Sequence, residues 1–157
     1  MTAALVVLTT AVLFTAPLYA ADPFTGTWTL NTAKSRLSGP YLQLRSETLV
    51  IQEQGDDFLI QGRVVLQNGS SDTTREQVSR NGGDLKYLEG DLPPGVSRRV
   101  QRIDAHTLEI VTLLNGTPIQ TDIVVLSADG RGLRLTRLGA TPSGQRFESL
   151  EFLERNP

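Results

Sequence analysis

The chain has 157 residues, a length that predicts a single domain with one hydrophobic core. Its 15 lysines and arginines against 17 acidic residues give a net charge of −2, which offers no basic surface for nucleic acid. The absence of cysteine excludes disulfides, thiolate metal sites and cysteine nucleophiles, and a single histidine argues against a multi-histidine metal centre or a Ser/His/Asp triad. We therefore expect no cofactor, no metal and no catalytic residue.

The first twenty residues resemble a secretory signal. They carry no charge, they contain the apolar runs Leu5–Leu8 and Ala11–Phe14, and they end in Leu18-Tyr19-Ala20. A short apolar segment before a small residue is typical of a signal peptide, so we predict a signal at 1–20, cleavage after Ala20 and a periplasmic or secreted domain at 21–157. The missing basic residue at the start is atypical, and the alternative is an uncleaved anchor, although a membrane span needs about 20 apolar residues.

The first predicted strand carries the only tryptophan of the chain. Phe24, Gly26, Trp28 and Leu30 alternate along 25–31 and so share one face. A large indole on that face can close one end of a barrel, while Gly26 allows another group to approach closely. We therefore assign Phe24, Gly26 and Trp28 to a structural motif.

After this strand, short β-like runs alternate with turn signals, and no stretch shows a 3.6-residue apolar period. Asn68-Gly69, Asn115-Gly116 and Asp129-Gly130 suit tight hairpins, which make neighbouring strands antiparallel. The one long connection, 32–45, is predicted to hold a helical turn at Ala33–Arg36 that caps a barrel end. We predict ten strands, at 25–31, 46–54, 58–67, 73–80, 85–89, 96–104, 107–115, 118–127, 133–138 and 145–155.

The strand 73–80 and residues 96–102 of the strand 96–104 carry polar groups on both faces. Either they fray at a sheet edge or their inner face lines a wet cavity, since a dry core would not accept them. Arg98 and Arg102 share a face with two valines. If that face points inward, both arginines reach the interior and could bind a ligand carboxylate; otherwise the valines cover an outer patch. In the inward-facing case, Tyr87 would flank the mouth of the cavity.

The hairpin 107–127 is the best-defined part of the predicted core. Ile110 lies on the apolar side of its first strand, and Ile119, Ile123 and Val125 share one side of the second. The alternation of apolar and polar residues along each strand predicts that these side chains point inward. We therefore predict that Ile110, Ile119 and Ile123 contact the apolar part of a ligand, beside Tyr87, Arg98 and Arg102.

The remaining groups with chemical potential have ordinary explanations. His106 lies in the turn Asp104–Thr107, where it is predicted to face water rather than to serve as a haem ligand. Glu148, Glu151 and Glu154 are assigned to the outer face of the last strand. We therefore predict that the protein is not an enzyme.

The opening motif, from Asp22 to Leu30 followed by Asn31 and Lys34-Ser35, is similar to the start of exported bacterial lipocalin-like proteins of the calycin superfamily. Segments 81–84, 102–109 and 125–136 resemble the later hairpins of the same family. The resemblance implies an up-and-down barrel around an interior pocket, and binding rather than catalysis. It also implies an arginine from a late strand stacked on Trp28, for which Arg146 and Arg155 are candidates.

The predicted fold is all-β: a single antiparallel up-and-down barrel of about 8 to 10 strands, because closure is the simplest way to protect the edges of such a meander. The predicted function is non-catalytic binding of a small apolar or amphiphilic molecule outside the cytoplasm. The alternative is a filled barrel that acts as an extracytoplasmic protein-interaction or inhibitor module. We expect no nucleic-acid partner and no membrane span after processing, and we predict no particular protein partner.

Overall fold

Eleven β-strands make up most of the described chain, which comprises residues 21–90 and 92–157 of a computed structural model. The predicted signal segment, 1–20, lies outside the described residues. A short 3-10 helix, Gly39–Gln43, lies between the first two strands. The strands are β1 Gly26–Leu30, β2 Leu44–Gln54, β3 Asp57–Leu66, β4 Ser71–Ser79, β5 Gly82–Asp84, β6 Lys86–Glu89, β7 Val96–Asp104, β8 Thr107–Leu114, β9 Thr117–Leu126, β10 Gly132–Ala140 and β11 Arg146–Arg155.

The strands form one antiparallel sheet in the order β5-β7-β8-β9-β10-β11-β1-β2-β3-β4-β6. β5 and β6 stand at opposite ends of that order, yet only Leu85 separates them in the chain. β5 pairs with β7 and β6 pairs with β4, so the segment 82–89 joins the two edges and nearly closes the sheet into an up-and-down barrel. The predicted architecture is confirmed, but with eleven strands instead of 8 to 10.

The extra strand, β5, lies in the connection between the predicted strands 73–80 and 85–89. Gly82 has a φ of +98° and pairs with Gln101 of β7. A Cβ at Gly82 would lie only 2.7 Å from the carbonyl oxygen of Val100. A side chain here would collide with this oxygen, and glycine also tolerates the positive φ. Glycine is therefore required where the chain turns and at once begins to pair with β7.

One end of the barrel is closed by the opening motif. Phe24 and Trp28 are both fully buried. The indole Nε1 donates to the carbonyl oxygen of Phe24 at 2.9 Å, and the Arg155 guanidinium carbon lies 4.3 Å from the centre of the indole ring. Arg155 is thus the stacking arginine, as one of the two candidates predicted.

Arg155 also explains the glycine of the motif. Its guanidinium donates to the carbonyl oxygens of Pro23 and Thr25 at 2.6 Å and to that of Gly130 at 2.8 Å. Gly26 has a φ of +143°, and a Cβ there would lie 2.8 Å from Arg155 Nη1. Since three carbonyls hold the guanidinium, it cannot move aside cheaply, and only glycine fits.

The predicted helical turn at Ala33–Arg36 is present in part: the backbone N–H groups of Lys34 and Ser35 donate to the carbonyl oxygens of Asn31 and Thr32 at 3.2 and 3.3 Å, which makes a turn but not a helix. The helix forms instead at Gly39–Gln43, where Pro40 occupies its first turn with the φ and missing N–H that suit a helix start. Tyr41 of this helix packs edge-on against Phe147 of β11, with 5.9 Å between ring centres. The helix therefore packs at the barrel end opposite Trp28.

Candidate functional site

The barrel encloses a cavity of about 270 Å³. This volume lies close to the lower limit of about 300 Å³ for typical small-molecule sites. Thr74, Glu76 and Val78 of β4 line it, so the cavity explanation of the polar strands holds and the frayed-edge explanation is wrong. Most of the wall is apolar and comes from seven strands, with two further residues, Phe24 and Leu85, from connecting segments: Phe24, Leu49, Ile51, Phe58, Ile60, Val64, Val78, Leu85, Val100, Leu108, Ile110, Val124, Leu133 and Leu135.

Three of the six predicted ligand contacts line this cavity: Tyr87, Arg98 and Ile110. Val100, on the same face of β7 as Arg98, is buried and lines it too. The face that carries Arg98 therefore points inward, and the outer-patch alternative is wrong. The sequence placed these three residues correctly because strand alternation fixes the face of each side chain.

Arg102 points inward as well, but it does not line the cavity. Its Nη2 donates to Asp22 Oδ2 at 2.8 Å and its Nε to the carbonyl oxygen of Arg80 at 2.6 Å. Its guanidinium also lies against the rings of Phe24 and Phe58, 5.4 and 5.7 Å from their centres. Arg102 therefore helps to close the Trp28 end of the barrel, and its predicted role as a ligand contact is not supported by its position.

Ile119 and Ile123 lie outside the cavity lining. Ile119 is 39% exposed, whereas Asp122 and Val124 on the opposite face of β9 are 1% and 7% exposed. The predicted inward face of β9 was wrong because it was chosen on hydrophobicity alone. Adjacent side chains of a strand point to opposite faces, so a one-residue error in choosing the inward face reverses every side chain of the strand. Because Asp122 is buried, the predicted inward and outward faces of β9 are exchanged.

The polar part of the interior centres on Arg137 of β10. Its guanidinium makes a two-point contact with Glu151, from Nε to Oε1 at 2.8 Å and from Nη2 to Oε2 at 2.9 Å. Nη1 lies 3.2 Å from Asp122 Oδ2, and the guanidinium carbon of Arg137 lies 4.6 Å from the ring centre of Tyr41. Burial alone would lower the pKa of Arg137, but the surrounding carboxylates, Glu151 foremost, hold it well above its usual value.

Arg98 extends this network along the cavity wall. Its Nη1 lies 3.4 Å from Glu76 Oε1 and 3.2 Å from the Tyr87 hydroxyl oxygen, while Nη2 lies 3.8 Å from Asp122 Oδ2. Asp122 therefore links the two guanidinium groups. We call the connected charged side chains the interior cluster; its members are Glu47, Glu76, Arg98, Asp122, Arg137 and Glu151.

Glu47 is the least satisfied member of the interior cluster. It is only 6% exposed and lines the cavity, with Oε1 3.6 Å from Arg137 Nη2. Among the residues that the structure describes, its Oε2 has no hydrogen-bond partner. Burial raises the pKa of Glu47 to about 7, which Arg137 opposes and Glu151 reinforces. Because this folded pKa exceeds the ordinary value of 4.5, the folded state loses stability as pH rises between the two.

The sequence did not identify five members of the cluster, and it assigned Glu151 to the outer face although its side chain is fully buried. A signal existed, because residues an even number of positions apart share a face of a strand. Glu151 stands two positions before the buried Leu153, and Arg137 stands two after the buried Leu135. Glu148 lies three positions from Glu151, so one of the two had to point inward.

One other prediction concerns a residue away from the cavity. His106 is exposed in the turn between β7 and β8, where its backbone N–H donates to Asp104 Oδ1 at 2.7 Å, so the predicted turn is confirmed.

Within residues 21–90 and 92–157, no group of three or more His, Cys, Asp or Glu side chains is placed to hold a metal ion. No helix in that part of the chain is long and apolar enough to cross a membrane.

Comparisons with known proteins support the fold alone. No protein-family model matches this chain, and no curated protein sequence matches it. A crystal structure of the zebrafish ileal bile acid-binding protein in complex with cholic acid is similar to it, with a TM-score of 0.54 and 16% sequence identity. The match covers 85% of this chain and 99% of the zebrafish chain. The two proteins therefore share the nearly closed antiparallel barrel.

Proposed function

We propose that the barrel binds one small apolar or amphiphilic molecule in its interior cavity, without catalysing a reaction. The observation that carries this proposal is the cavity of about 270 Å³, whose wall is mostly apolar with one polar cluster. Apolar walls supply affinity, and a few fixed polar groups orient the ligand. The zebrafish protein, described with bound cholic acid, supports the same use of this fold.

A series of straight-chain 1-alkanols tests the proposal, because these probes are uncharged and differ only in apolar length. Each buried methylene contributes about 0.8 kcal/mol, so affinity rises about fourfold per carbon until the cavity is full and then levels off. The measurement is calorimetric titration at increasing chain length. Affinity that stays undetectable for every alkanol contradicts the proposal and favours the alternative of a protein-interaction module.

Two isoleucines provide a matched pair of variants for this titration. Ile110→Phe fills part of the cavity, whereas Ile119→Phe makes the same change on β9 outside the cavity lining. We expect Ile110→Phe to weaken 1-decanol about tenfold, while Ile119→Phe leaves it within about twofold, since only the first removes space from the ligand. Equal effects of the two variants would place the alkanol outside the cavity.

We also propose that this is an exported, lipocalin-like protein that acts in the periplasm or outside the cell. The proposal is supported by the uncharged apolar segment 1–20 and by the Phe-x-Gly-x-Trp motif that follows it. The full-length chain, expressed in a host with a periplasm, should yield a soluble periplasmic protein that begins at Ala21. Recovery of intact Met1 in the membrane fraction contradicts export and indicates an anchor.

A further inference from the structure

Arg98 has the most exposed side chain of the interior cluster. That side chain is 19% exposed, compared with 10% for Arg137 and Glu76 and 8% or less for the other three members. Arg98 also lines the cavity, beside Tyr87. A guanidinium on the wall of an apolar cavity suits a ligand carboxylate, which it can bind at two points. The groups that already surround Arg98 therefore decide which class of ligand the cavity takes.

The carboxylate of Glu76 already faces this guanidinium. Its Oε1 lies 3.4 Å from Arg98 Nη1, and the same Nη1 donates to the Tyr87 hydroxyl oxygen at 3.2 Å. Glu76 of β4 stands directly opposite Tyr87 of β6, and residues opposite each other share one face of a sheet. A carboxylate of the protein is thus held where an anionic head group would pair with Arg98.

The pair with Glu76 makes a second carboxylate at Arg98 unfavourable. Burial alone would lower the pKa of Arg98, but its neighbours, Glu76 foremost, raise it above its usual value. A ligand carboxylate would have to share this guanidinium with Glu76, and the repulsion between two like charges grows as the local dielectric falls. A hydroxyl or ester oxygen brings no charge, so it can accept one of the five N–H groups of a guanidinium while Glu76 stays in place.

The other arginines that line the cavity, among the described residues, offer a carboxylate no better position. Arg137 makes its two-point contact with Glu151. Arg80 lies 3.6 Å from Glu53 and 3.5 Å from Asp56. Each of these guanidinium groups is therefore already beside a carboxylate of the protein.

A cationic head group is disfavoured for a different reason. An ammonium group near the interior cluster would meet Arg98, the most exposed charge there. Glu47 Oε2, which has no partner among the described residues, is itself buried and presents no surface to the cavity. Asp72 also lines the cavity, but it is exposed, and water weakens the attraction between exposed charges. An uncharged head group is the kind that this wall accommodates.

We propose that Glu76 determines the ligand class of the cavity: it pairs with Arg98 in place of a ligand carboxylate, so the cavity takes an amphiphile with an uncharged oxygen head group, such as an alcohol or an ester. This inference rests on the proposed binding function and specifies the chemistry of its ligand. Two observations carry it, the carboxylate of Glu76 beside the Arg98 guanidinium and the partial exposure of Arg98 in the cavity wall.

The first experiment compares three probes that share one chain and differ in head group: 1-decanol, decanoate and decylamine, titrated by calorimetry as monomers at pH 8. Carboxyl and amino side chains titrate near about 4.3 and 10.4, so the last two probes are charged at this pH. We expect 1-decanol to bind the wild-type protein about tenfold more tightly than either charged probe, because each charge loses its hydration and finds no free partner.

The second experiment removes the charge of Glu76. Glu76→Gln keeps a side-chain oxygen beside Arg98 but leaves Nη1 without an anion. We expect decanoate to bind this variant about tenfold more tightly than it binds the wild-type protein, since its carboxylate can then pair with the guanidinium. The double variant Glu76→Gln/Arg98→Met should lose this gain, because the guanidinium itself is gone.

Glu109→Gln is the matched control. It removes the same charge at a residue of β8 that does not line the cavity, and it should leave all three probes unchanged. A gain for decanoate that is equal in Glu76→Gln and Glu109→Gln would be a general charge effect and would overturn the assignment to Glu76. A gain that persists in the double variant would overturn the role of Arg98.

The outcomes separate this inference from the proposed function. If 1-decanol binds the wild-type protein but decanoate or decylamine binds as tightly, the uncharged head group is wrong and the binding function stands. The role of Glu76 is also wrong if folded Glu76→Gln gains no affinity for decanoate. If that variant does not fold, the comparison of the three probes on the wild-type protein still decides the class of head group. If none of the three probes binds, the binding function itself fails.

Discussion

Arg137→Met is expected to lower the free energy of unfolding by about 3 to 5 kcal/mol at pH 8, the usual cost of removing one partner from a buried ion pair. Methionine fills much of the same space but supplies no charge. Glu151 loses a two-point contact at 2.8 and 2.9 Å, and Asp122 loses one at 3.2 Å. Both carboxylates are then buried without enough positive charge, which is what destabilises the variant. Urea unfolding followed by circular dichroism measures the change.

The loss should depend on pH in one direction. Burial raises the pKa of Glu47 and Arg137 opposes that rise, so without Arg137 the pKa of Glu47 lies further above its unfolded value, and the penalty is smallest under acidic conditions and grows as pH rises. The matched control is Arg134→Met, since Arg134 is exposed on the outer face of the same strand and should change stability by less than about 0.5 kcal/mol. Similar losses for the two arginines would contradict the structure of the interior cluster.

Trp28→Ala is expected to cost about 3 to 5 kcal/mol, the range for truncating a large buried aromatic side chain. The indole is fully buried, so its removal leaves a cavity at the closed end of the barrel. It also removes the N–H that donates to Phe24 at 2.9 Å and the ring that carries the Arg155 guanidinium. Chemical denaturation at a fixed pH gives the difference in free energy.

One further substitution separates the contribution of the aromatic ring from that of the N–H, and another serves as a surface control. Trp28→Phe keeps an aromatic ring beneath Arg155 and loses the N–H, so it should cost less than the alanine variant. Leu138→Ala removes a large apolar side chain that is 44% exposed and should change stability by less than about 0.5 kcal/mol. A cost below about 1 kcal/mol for Trp28→Ala would mean that the opening motif does not close the barrel.

The sequence predicted the strands well because short-range turn chemistry sets their ends. Asn115, for example, has a φ of +49° and is followed by Gly116 at +79°, the positive values that a two-residue hairpin requires. Trp28 and Arg155 were also predictable, since the first-strand motif and the resemblance together named both. β5 was not, because Gly82 serves in a turn and a strand at once, which turn propensity cannot express.

The polar interior was harder to predict, for a physical reason. A buried charge is acceptable only when partners meet it, and those partners come from other strands, one of them distant in sequence: Arg137 meets Asp122 and Glu151 on its two neighbouring strands and Glu47 on β2. Assigning faces by hydrophobicity excludes such residues one at a time. Arg98 was found only because its alternation with Val100 outweighed its charge.

The junction at Leu85 has a consequence for rates. Each half of the segment 82–89 is paired with a neighbouring strand over three residues, whereas the register of β2 with β3 and of β10 with β11 extends along most of each strand. Local opening needs the loss of fewer ladder bonds here than in those long hairpins, so amide hydrogens of this segment should exchange sooner than theirs. Leu85 and Tyr87 both line the cavity, so such opening uncovers it while the remaining wall stays folded. The residence time of a ligand inside the barrel would then depend on how often this short segment opens, and not on the free energy of unfolding of the whole fold.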